Sequence, residues 1–310
     1  MTVHSCDLIT NDQVAAILQT AFKTQPRSLI RQSQTHSGNA IFRADLMDER
    51  SVVVRVSPRP ATFKYTWHNL IVLGELGLPV QTVLATGPTE TGGSFIILNW
   101  LRGRDLMYEL PQMRPDQMTR VAESIVDFQK RIGTLPASRG FGCAPIGKNA
   151  PTSRWTDIFG PAETGPISAG ELPLDRLRSR LRGMRQSVEP YFATVRPTCF
   201  LDDLTIKNLL VENGELTGII DVDFVCYGDP LMSVGTTQAL LAVDVGGNGL
   251  FYGDELVRIW NPAEDGLRAI RFYSALWIVG MLGVAETRGE TARVEKMMPI
   301  ADAMLRFSES

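Results

Sequence analysis

One stretch restricts what the rest of this chain can fold into: Cys199–Pro230, CFLDDLTIKNLLVENGELTGIIDVDFVCYGDP. Asp203 is followed five positions later by Asn208, and thirteen after that by Asp221. Two apolar runs, Leu209-Leu210-Val211 and Leu216 to Ile220, lie between the last two, joined by Glu212-Asn213-Gly214. Short β-prone runs on either side of Asn-Gly predict a hairpin, because the tight turn needs positive φ and these residues adopt it at least cost. The hairpin holds Asn208 just before one strand and Asp221 at the end of the next. An amide and a carboxylate so placed can share a metal ion. A second carboxylate at Asp203 can orient a hydroxyl, which completes a donor set suited to phosphoryl transfer.

A chain of 310 residues exceeds the usual single-core size, so two lobes are expected. The first hundred residues supply helix, three strands, helix and two strands. Thr10-Asn11-Asp12-Gln13 is a capping box opening a helix to about Phe22. Ser28–Gln34, Asn39–Leu46 and Val52–Val56 read as strands, Thr62–Leu76 as a helix stopped by Gly77 and Pro79, and Val80–Ala85 and Phe95–Asn99 as strands. Arg55 interrupts the apolar run Val52–Val56. It is either an edge-strand residue facing water or a buried ligand for phosphate. From Gly103 the pattern turns helical, with Pro115–Ile132 carrying one apolar stripe and Pro173–Glu189 another. Arg176, Arg178, Arg180, Arg182 and Arg185 fall off that second stripe and read as a solvated face. Arg139–Arg154 reads as a loop. Helices are expected again over Leu231–Val243, Gly253–Trp260, Gly266–Ala285 and Thr291–Phe307.

Several chemistries are disfavoured. Gly142 to Asn149 nearly spells a phosphate-binding loop, but it has Asn149 where a hydroxyl should bind magnesium and no strand before it. The three histidines lie far from any nucleophile elbow, and no ligand pairs have zinc spacing. Carboxylate pairs for glycoside hydrolysis exist among Asp202, Asp203, Asp221 and Asp223, yet Asn208 and the hairpin have no part in that reaction. A net charge of −3 argues against nucleic acid or an anionic membrane as partner. The four cysteines lack C-x-x-C spacing and read as reduced thiols of a cytoplasmic protein. The longest apolar run, Ala275–Ala285, falls short of the roughly 18 residues of a membrane span, and Met1–Asp12 has no signal-peptide pattern.

Leu201 to Val211, with Gly218-Ile219-Ile220-Asp221-Val222-Asp223 and Tyr227-Gly228-Asp229-Pro230, resembles the catalytic core of the aminoglycoside phosphotransferase family, relatives of the choline kinases. That family's runs are H-G-D-x-x-x-x-N, I-I-D and G-D-P. The resemblance extends to Ser37-Gly38-Asn39, Val53-Val54-Arg55-Val56, Gly77-Leu78-Pro79-Val80 and Ile96 to Gly103. It implies an α+β, two-lobed, protein-kinase-like fold with a nucleotide-binding N-lobe over residues 1–99 and a helical C-lobe over 100–310. It further implies that Asp203 orients the acceptor hydroxyl and that Asn208 and Asp221 hold Mg²⁺. Ser37, Gly38, Asn39 and Arg55 would meet the phosphates of ATP or GTP, and the backbone between Asn99 and Leu101 would meet the base. Asp223, Asp229, Trp277 and Glu286 are expected to line the pocket of a small hydroxylated substrate, whose acidic walls would suit a cation.

Three positions depart from the family pattern. Leu201 stands for its histidine and Asp202 for its glycine, and two adjacent acids are costly to ionise if both are buried. On the first-lobe helix, Thr66 occupies the place of the glutamate that pairs with the phosphate-binding cation. The expected function is ATP-dependent transfer of a γ-phosphate to a small-molecule hydroxyl. The competing expectation, motivated by these departures, is a degenerate relative that binds nucleotide or metabolite without transfer.

Overall fold

The computed structural model describes residues 9–32, 38–160 and 173–306. The chain divides into two compact units, residues 1–102 with 218–224, and residues 103–217 with 225–310. A single division between residues 99 and 100 therefore misses a second crossing. The short segment that carries Asp221 and Asp223 groups with the first unit.

The first unit is built on a five-stranded antiparallel sheet, β1 (Pro26–Arg31), β2 (Ala40–Leu46), β3 (Ser51–Ser57), β4 (Val83–Pro88) and β5 (Ser94–Asn99), in the order β1-β2-β3-β5-β4. Helix α1 (Asn11–Phe22) opens with the expected capping box: Thr10 accepts from the N–H of Gln13, and Gln13 accepts from the N–H of Thr10. Its Val14 and Leu18 are buried against Phe42, Ala44, Val52, Val54 and Val56. Strand alternation sends Val52, Val54 and Val56 into that core, so Arg55 points to the opposite face. β3 is the middle strand of the sheet and Arg55 is 6% exposed. The edge-strand reading of Arg55 is thereby excluded. Helix α2 (Lys64–Glu75) follows β3.

The second unit holds the hairpin and most of the helices. β6 (Arg104–Asp105), α3 (Leu106–Glu109) and α4 (Pro115–Ile132) open it. The expected loop 139–154 contains a short strand, β7 (Gly142–Ala144), in register with a strand more than eighty residues away. Three residues show no periodicity, so only that pairing defines it. The near-match to a phosphate loop is structural here: the N–H of Gly147 donates to the Tyr227 hydroxyl at 3.0 Å. Helix α5 (Pro173–Phe192) is followed by β8 (Thr198–Phe200), β9 (Leu209–Glu212), β10 (Glu215–Ile219) and β11 (Val225–Gly228). Asn213 and Gly214, at φ 55° and 81°, make the predicted turn between β9 and β10. The arginine face of α5 is less solvated than expected. Arg180 is paired with Asp302 at 2.8 Å, and Arg178, Arg180, Arg182 and Arg185 are half-buried.

Four helices complete the unit: α6 (Leu231–Leu240), α7 (Leu250–Trp260), α8 (Glu264–Thr287) and α9 (Thr291–Arg306), with a π-helical turn over Leu241–Val245. α8 runs 24 residues and is apolar enough, by length and composition, to cross a membrane. It packs against α5, α6 and α9 and buries Ala269, Phe272, Tyr273, Ile278, Val279 and Leu282, as the core helix of a globular unit does.

Candidate active site

Asp203 sits on the irregular loop between β8 and β9, its side chain exposed. Two neighbours set its position. Thr205 Oγ1 donates to Asp203 Oδ1 at 3.3 Å, and Asn208 Nδ2 donates to the Asp203 carbonyl at 3.0 Å. The Asn208 amide is thus oriented, and its Oδ1 has no hydrogen-bond partner among the described residues. The base of the loop is held from α4. Gln129 Nε2 donates to the Leu201 carbonyl at 2.7 Å, and Gln129 Oε1 accepts from the Leu201 N–H at 3.1 Å. Leu201 itself is buried at 4% exposure. At the position where the resemblance implies a histidine, the loop is braced through its main chain by a side chain 72 residues earlier.

Asp202 turns away from this cluster. It is half-buried and accepts from the Cys143 thiol at 3.8 Å, and burial raises its pKa. Asp203 is exposed, so the cost of ionising two buried neighbouring acids does not arise. Next to Asn208, Lys207 reaches Asp244 in the π-helical turn at 2.8 Å. Sequence reasoning singled out neither Gln129 nor this ion pair.

The first unit carries the other group of expected residues. Arg55 donates from Nη1 to Asp223 Oδ1 at 2.8 Å and from Nη2 to Asp223 Oδ2 at 2.5 Å. Thr66 Oγ1 donates to the same Oδ1 at 2.8 Å, and Asn69 Nδ2 donates to the Asp223 carbonyl at 2.9 Å. The Phe63 ring lies 5.3 Å from the guanidinium carbon. Arg55 Nε is buried with no hydrogen-bond partner among the described residues. Asp221 lies beside this pair, with one oxygen 3.8 Å from Arg55 Nη2, and makes no hydrogen bond to a described residue. Its backbone is left-handed at φ 59°, a conformation that costs a non-glycine residue energy and recurs at functional positions. Burial raises the Asp221 pKa against the opposing pull of Arg55, and Asp223 adds to the rise. A carboxylate short of compensating charge is one that a cation would relieve. Asn208 Oδ1 in the second unit and the Asp221 carboxylate in the first are each a hard oxygen donor with vacant lone pairs. Magnesium needs few such protein oxygens, because it keeps waters and substrate phosphates in its shell.

Of the expected phosphate turn, Ser37 lies outside the described residues. Gly38 is left-handed at φ 75° with open space where a side chain would stand, and Asn39 is buried at the start of β2. At the end of β5, Asn99 is committed to its own sheet: its N–H donates to the Thr82 carbonyl, its Oδ1 accepts from the Thr82 N–H and its carbonyl accepts from Gln81. Two residues on, the Leu101 main chain makes no hydrogen bond to a described residue. Of the two, Leu101 offers the unused donor and acceptor that a purine edge requires.

The residues expected to form a substrate wall have different settings, and Asp229 is buried away from solvent. Asp229 is 4% exposed and its carboxylate accepts from the Tyr191 hydroxyl at 2.9 Å, the Tyr273 hydroxyl at 2.8 Å and the Leu231 N–H at 3.0 Å. It ties three elements together inside the second unit and faces no solvent. Trp277 and Glu286 both lie on α8, nine residues apart. At about 100° per residue they stand on opposite sides of the helix, roughly 13 Å apart along its axis. Asp223 is engaged by Arg55, as described above.

No curated protein matches the chain. The sequence profile of the phosphotransferase enzyme family matches residues 35–270. Among solved structures, a thermostable mutant of the aminoglycoside phosphotransferase APH(4)-Ia is similar with a TM-score of 0.69 at 17% identity, covering 94% of this chain and 98% of that one. APH(2")-IIia in complex with GDP and kanamycin gives 0.68 at 14%, covering 94% and 97%. A candidate fructosamine-3-kinase from Thermobifida fusca YX-ER1 gives 0.60 at 16%, covering 96% and 100%. These likenesses establish the fold, and the profile match over residues 35–270 establishes the family. The chain belongs to the phosphotransferase enzyme family and is a small-molecule kinase of the protein-kinase-like α+β fold.

Proposed function

We propose that this kinase transfers the terminal phosphate of a nucleoside triphosphate, with Mg²⁺, to a hydroxyl group of a small molecule. The observation that carries the reading is the state of Asp203: exposed, steadied by Thr205 and Asn208, on a loop whose base is clamped by Gln129. Phosphoryl transfer through a loose transition state asks little basicity of the acid that meets the acceptor and much of its placement. Asp203 would accept the hydroxyl's hydrogen bond and aim its oxygen at the phosphorus. Mg²⁺, held by Asn208 Oδ1 and Asp221, would offset charge on the phosphate oxygens. Arg55 would face the phosphates with its remaining N–H groups, and the Leu101 main chain the base.

The donor nucleotide follows from chemistry that similar proteins share. APH(4)-Ia has been solved in a ternary complex with AMP-PNP and hygromycin B, and APH(2")-IIia with GDP and kanamycin, so both adenine and guanine nucleotides are candidates. With Asp229 buried and Trp277 and Glu286 on opposite faces of α8, these residues do not favour a cationic acceptor over a neutral polyol, and both classes belong in the screen. A cytoplasmic location, where both nucleotides are present, belongs to the same proposal.

The test is binding followed by turnover. Mg-ATP or Mg-GTP at about a hundredfold over its Kd should stabilise the protein by about 2.7 kcal/mol, a rise in Tm of several degrees. Aminoglycosides, amino alcohols and sugars are then screened for nucleoside diphosphate release, with Asp203→Asn as control. A protein that binds neither nucleotide sinks the proposal. Binding of nucleotide with no acceptor turned over across a broad screen would favour the binding-only alternative.

A further inference from the structure

Family resemblance puts an acid on α2 as the partner of the phosphate-pairing cation, and this chain has Thr66 there. We propose that Asp223 is that partner, a positioning residue that holds Arg55 in register for the nucleotide phosphates and ties it to the segment carrying Asp221 instead of to helix α2. The inference deepens the function proposed above and rests on it.

Four observations converge on Asp223. Both of its carboxylate oxygens are used by the guanidinium, Oδ1 from Nη1 at 2.8 Å and Oδ2 from Nη2 at 2.5 Å. This is the planar fork-to-carboxylate match that arginine makes and lysine cannot. Arg55 stands on a central strand with its side chain 7% exposed and that of Asp223 26% exposed, so solvent competes little for the pair. The helix still takes part, but as a neutral donor: Thr66 Oγ1 reaches Oδ1 at 2.8 Å. Finally, Asn69 on the same face of α2, one turn on, fixes the Asp223 main chain through its carbonyl at 2.9 Å. Each group supports the next: α2 orients Asp223, and Asp223 orients Arg55.

This arrangement also accounts for arginine at position 55. A lysine would place one point charge between the two oxygens and leave Thr66 as the better donor to Oδ1. It removes Asp223 from the set of substrate-lining acids too, because its oxygens already accept three hydrogen bonds.

A charge relocation separates this role from a merely structural one. Asp223→Asn should weaken Mg-nucleotide binding and raise the nucleotide KM by tenfold or more, while the acceptor KM stays within about twofold of wild type. Adding Thr66→Glu to Asp223→Asn returns an acid to Arg55 from the helix and should recover most of that loss. Thr66→Val, which removes one neutral donor and leaves the ion pair, should weaken nucleotide binding by less than Asp223→Asn, and it serves as the probe should Asp223→Asn fail to fold. Wild-type nucleotide affinity in folded Asp223→Asn would overturn the proposal. So would a loss confined to the acceptor KM, no recovery in the double variant, or, when Asp223→Asn does not fold, unchanged affinity in Thr66→Val. Failure of the underlying function looks different: wild-type protein would bind neither Mg-ATP nor Mg-GTP, and both readings would fall together.

Discussion

Gln129 meets the main chain of Leu201 with both ends of its amide, donating at 2.7 Å and accepting at 3.1 Å, with Nε2 also reaching Ser233 Oγ at 3.1 Å. A single side chain therefore satisfies the N–H and the carbonyl of the residue that leads into Asp202 and Asp203. Replacing it with leucine would strand two buried backbone groups at a cost of about 1–3 kcal/mol each. Gln129→Leu should lower Tm by several degrees and reduce the rate of phosphoryl transfer more than nucleotide affinity. Thermal unfolding and steady-state kinetics check the two parts separately.

In the proposed reaction Asp203 meets the acceptor alone, so its loss should be visible only once chemistry is measured. Asp203→Asn should lower kcat by about a hundredfold to ten-thousandfold while leaving the Kd for Mg-nucleotide within about twofold. Isothermal titration alongside a coupled assay reads both. Turnover near wild type would remove Asp203 from the reaction.

Asp229 belongs to the core of the second unit. Its carboxylate accepts from two phenols and a backbone N–H, and the Tyr273 hydroxyl in turn accepts from Trp155 Nε1 at 2.7 Å. In Asp229→Asn an amide N–H₂ group faces donors, and about 1–3 kcal/mol of stability should be lost. Urea denaturation measures it. Acceptor KM should not move, because the side chain reaches no solvent.

Asp45 gives the first unit a pH dependence with a definite sign. Hydrogen bonds from Ser51 at 2.6 Å and Ser28 at 2.7 Å, then Arg43 at 3.1 Å, lower its pKa to about 2. A carboxyl whose pKa is lower in the folded state stabilises that state above its unfolded pKa, near 4, and the contribution fades as pH falls toward 2. The stability difference between wild type and Asp45→Asn should be full at pH 6, smaller at pH 3.5 and smaller again at pH 2.5. Urea titrations at the three values test it, and a difference that does not change with pH would remove Asp45 as the titrating group.

What the sequence made legible was local. The capping box at Thr10, the apolar stripe of Pro115–Ile132 and the Asn213-Gly214 turn rest on neighbours within a few positions, and the structure forms each one. Asp203, Asn208 and Asp221 could be named because the hairpin fixes their spacing. What stayed hidden depends on partners far along the chain. Arg55 and Asp223 are 168 residues apart, and Gln129 and Leu201 72. No periodicity connects such positions. Two of the acids expected in a substrate wall, Asp223 and Asp229, are engaged by side chains far along the sequence for the same reason. An aspartate beside a turn looks alike in sequence whether it faces a ligand or, like Asp229, two buried tyrosines. Thr66 stands as a gap in the sequence because the acid that pairs with Arg55 comes from another element.

The second crossing of the chain has a consequence for how the protein is made. Residues 1–102 contain the whole five-stranded sheet, yet the carboxylate that neutralises Arg55 arrives only with residue 223. At roughly 5–20 residues per second of synthesis, the sheet waits on the order of ten seconds for its counter-charge after its last strand has been translated. During that interval burying Arg55 means burying an unpaired cation, which is strongly unfavourable. The Arg55 face of the first unit thus cannot be completed before the loop bearing Asp203 and the hairpin have been translated. Nascent chains released at successive lengths should gain protease resistance over β3 only once residue 223 is included.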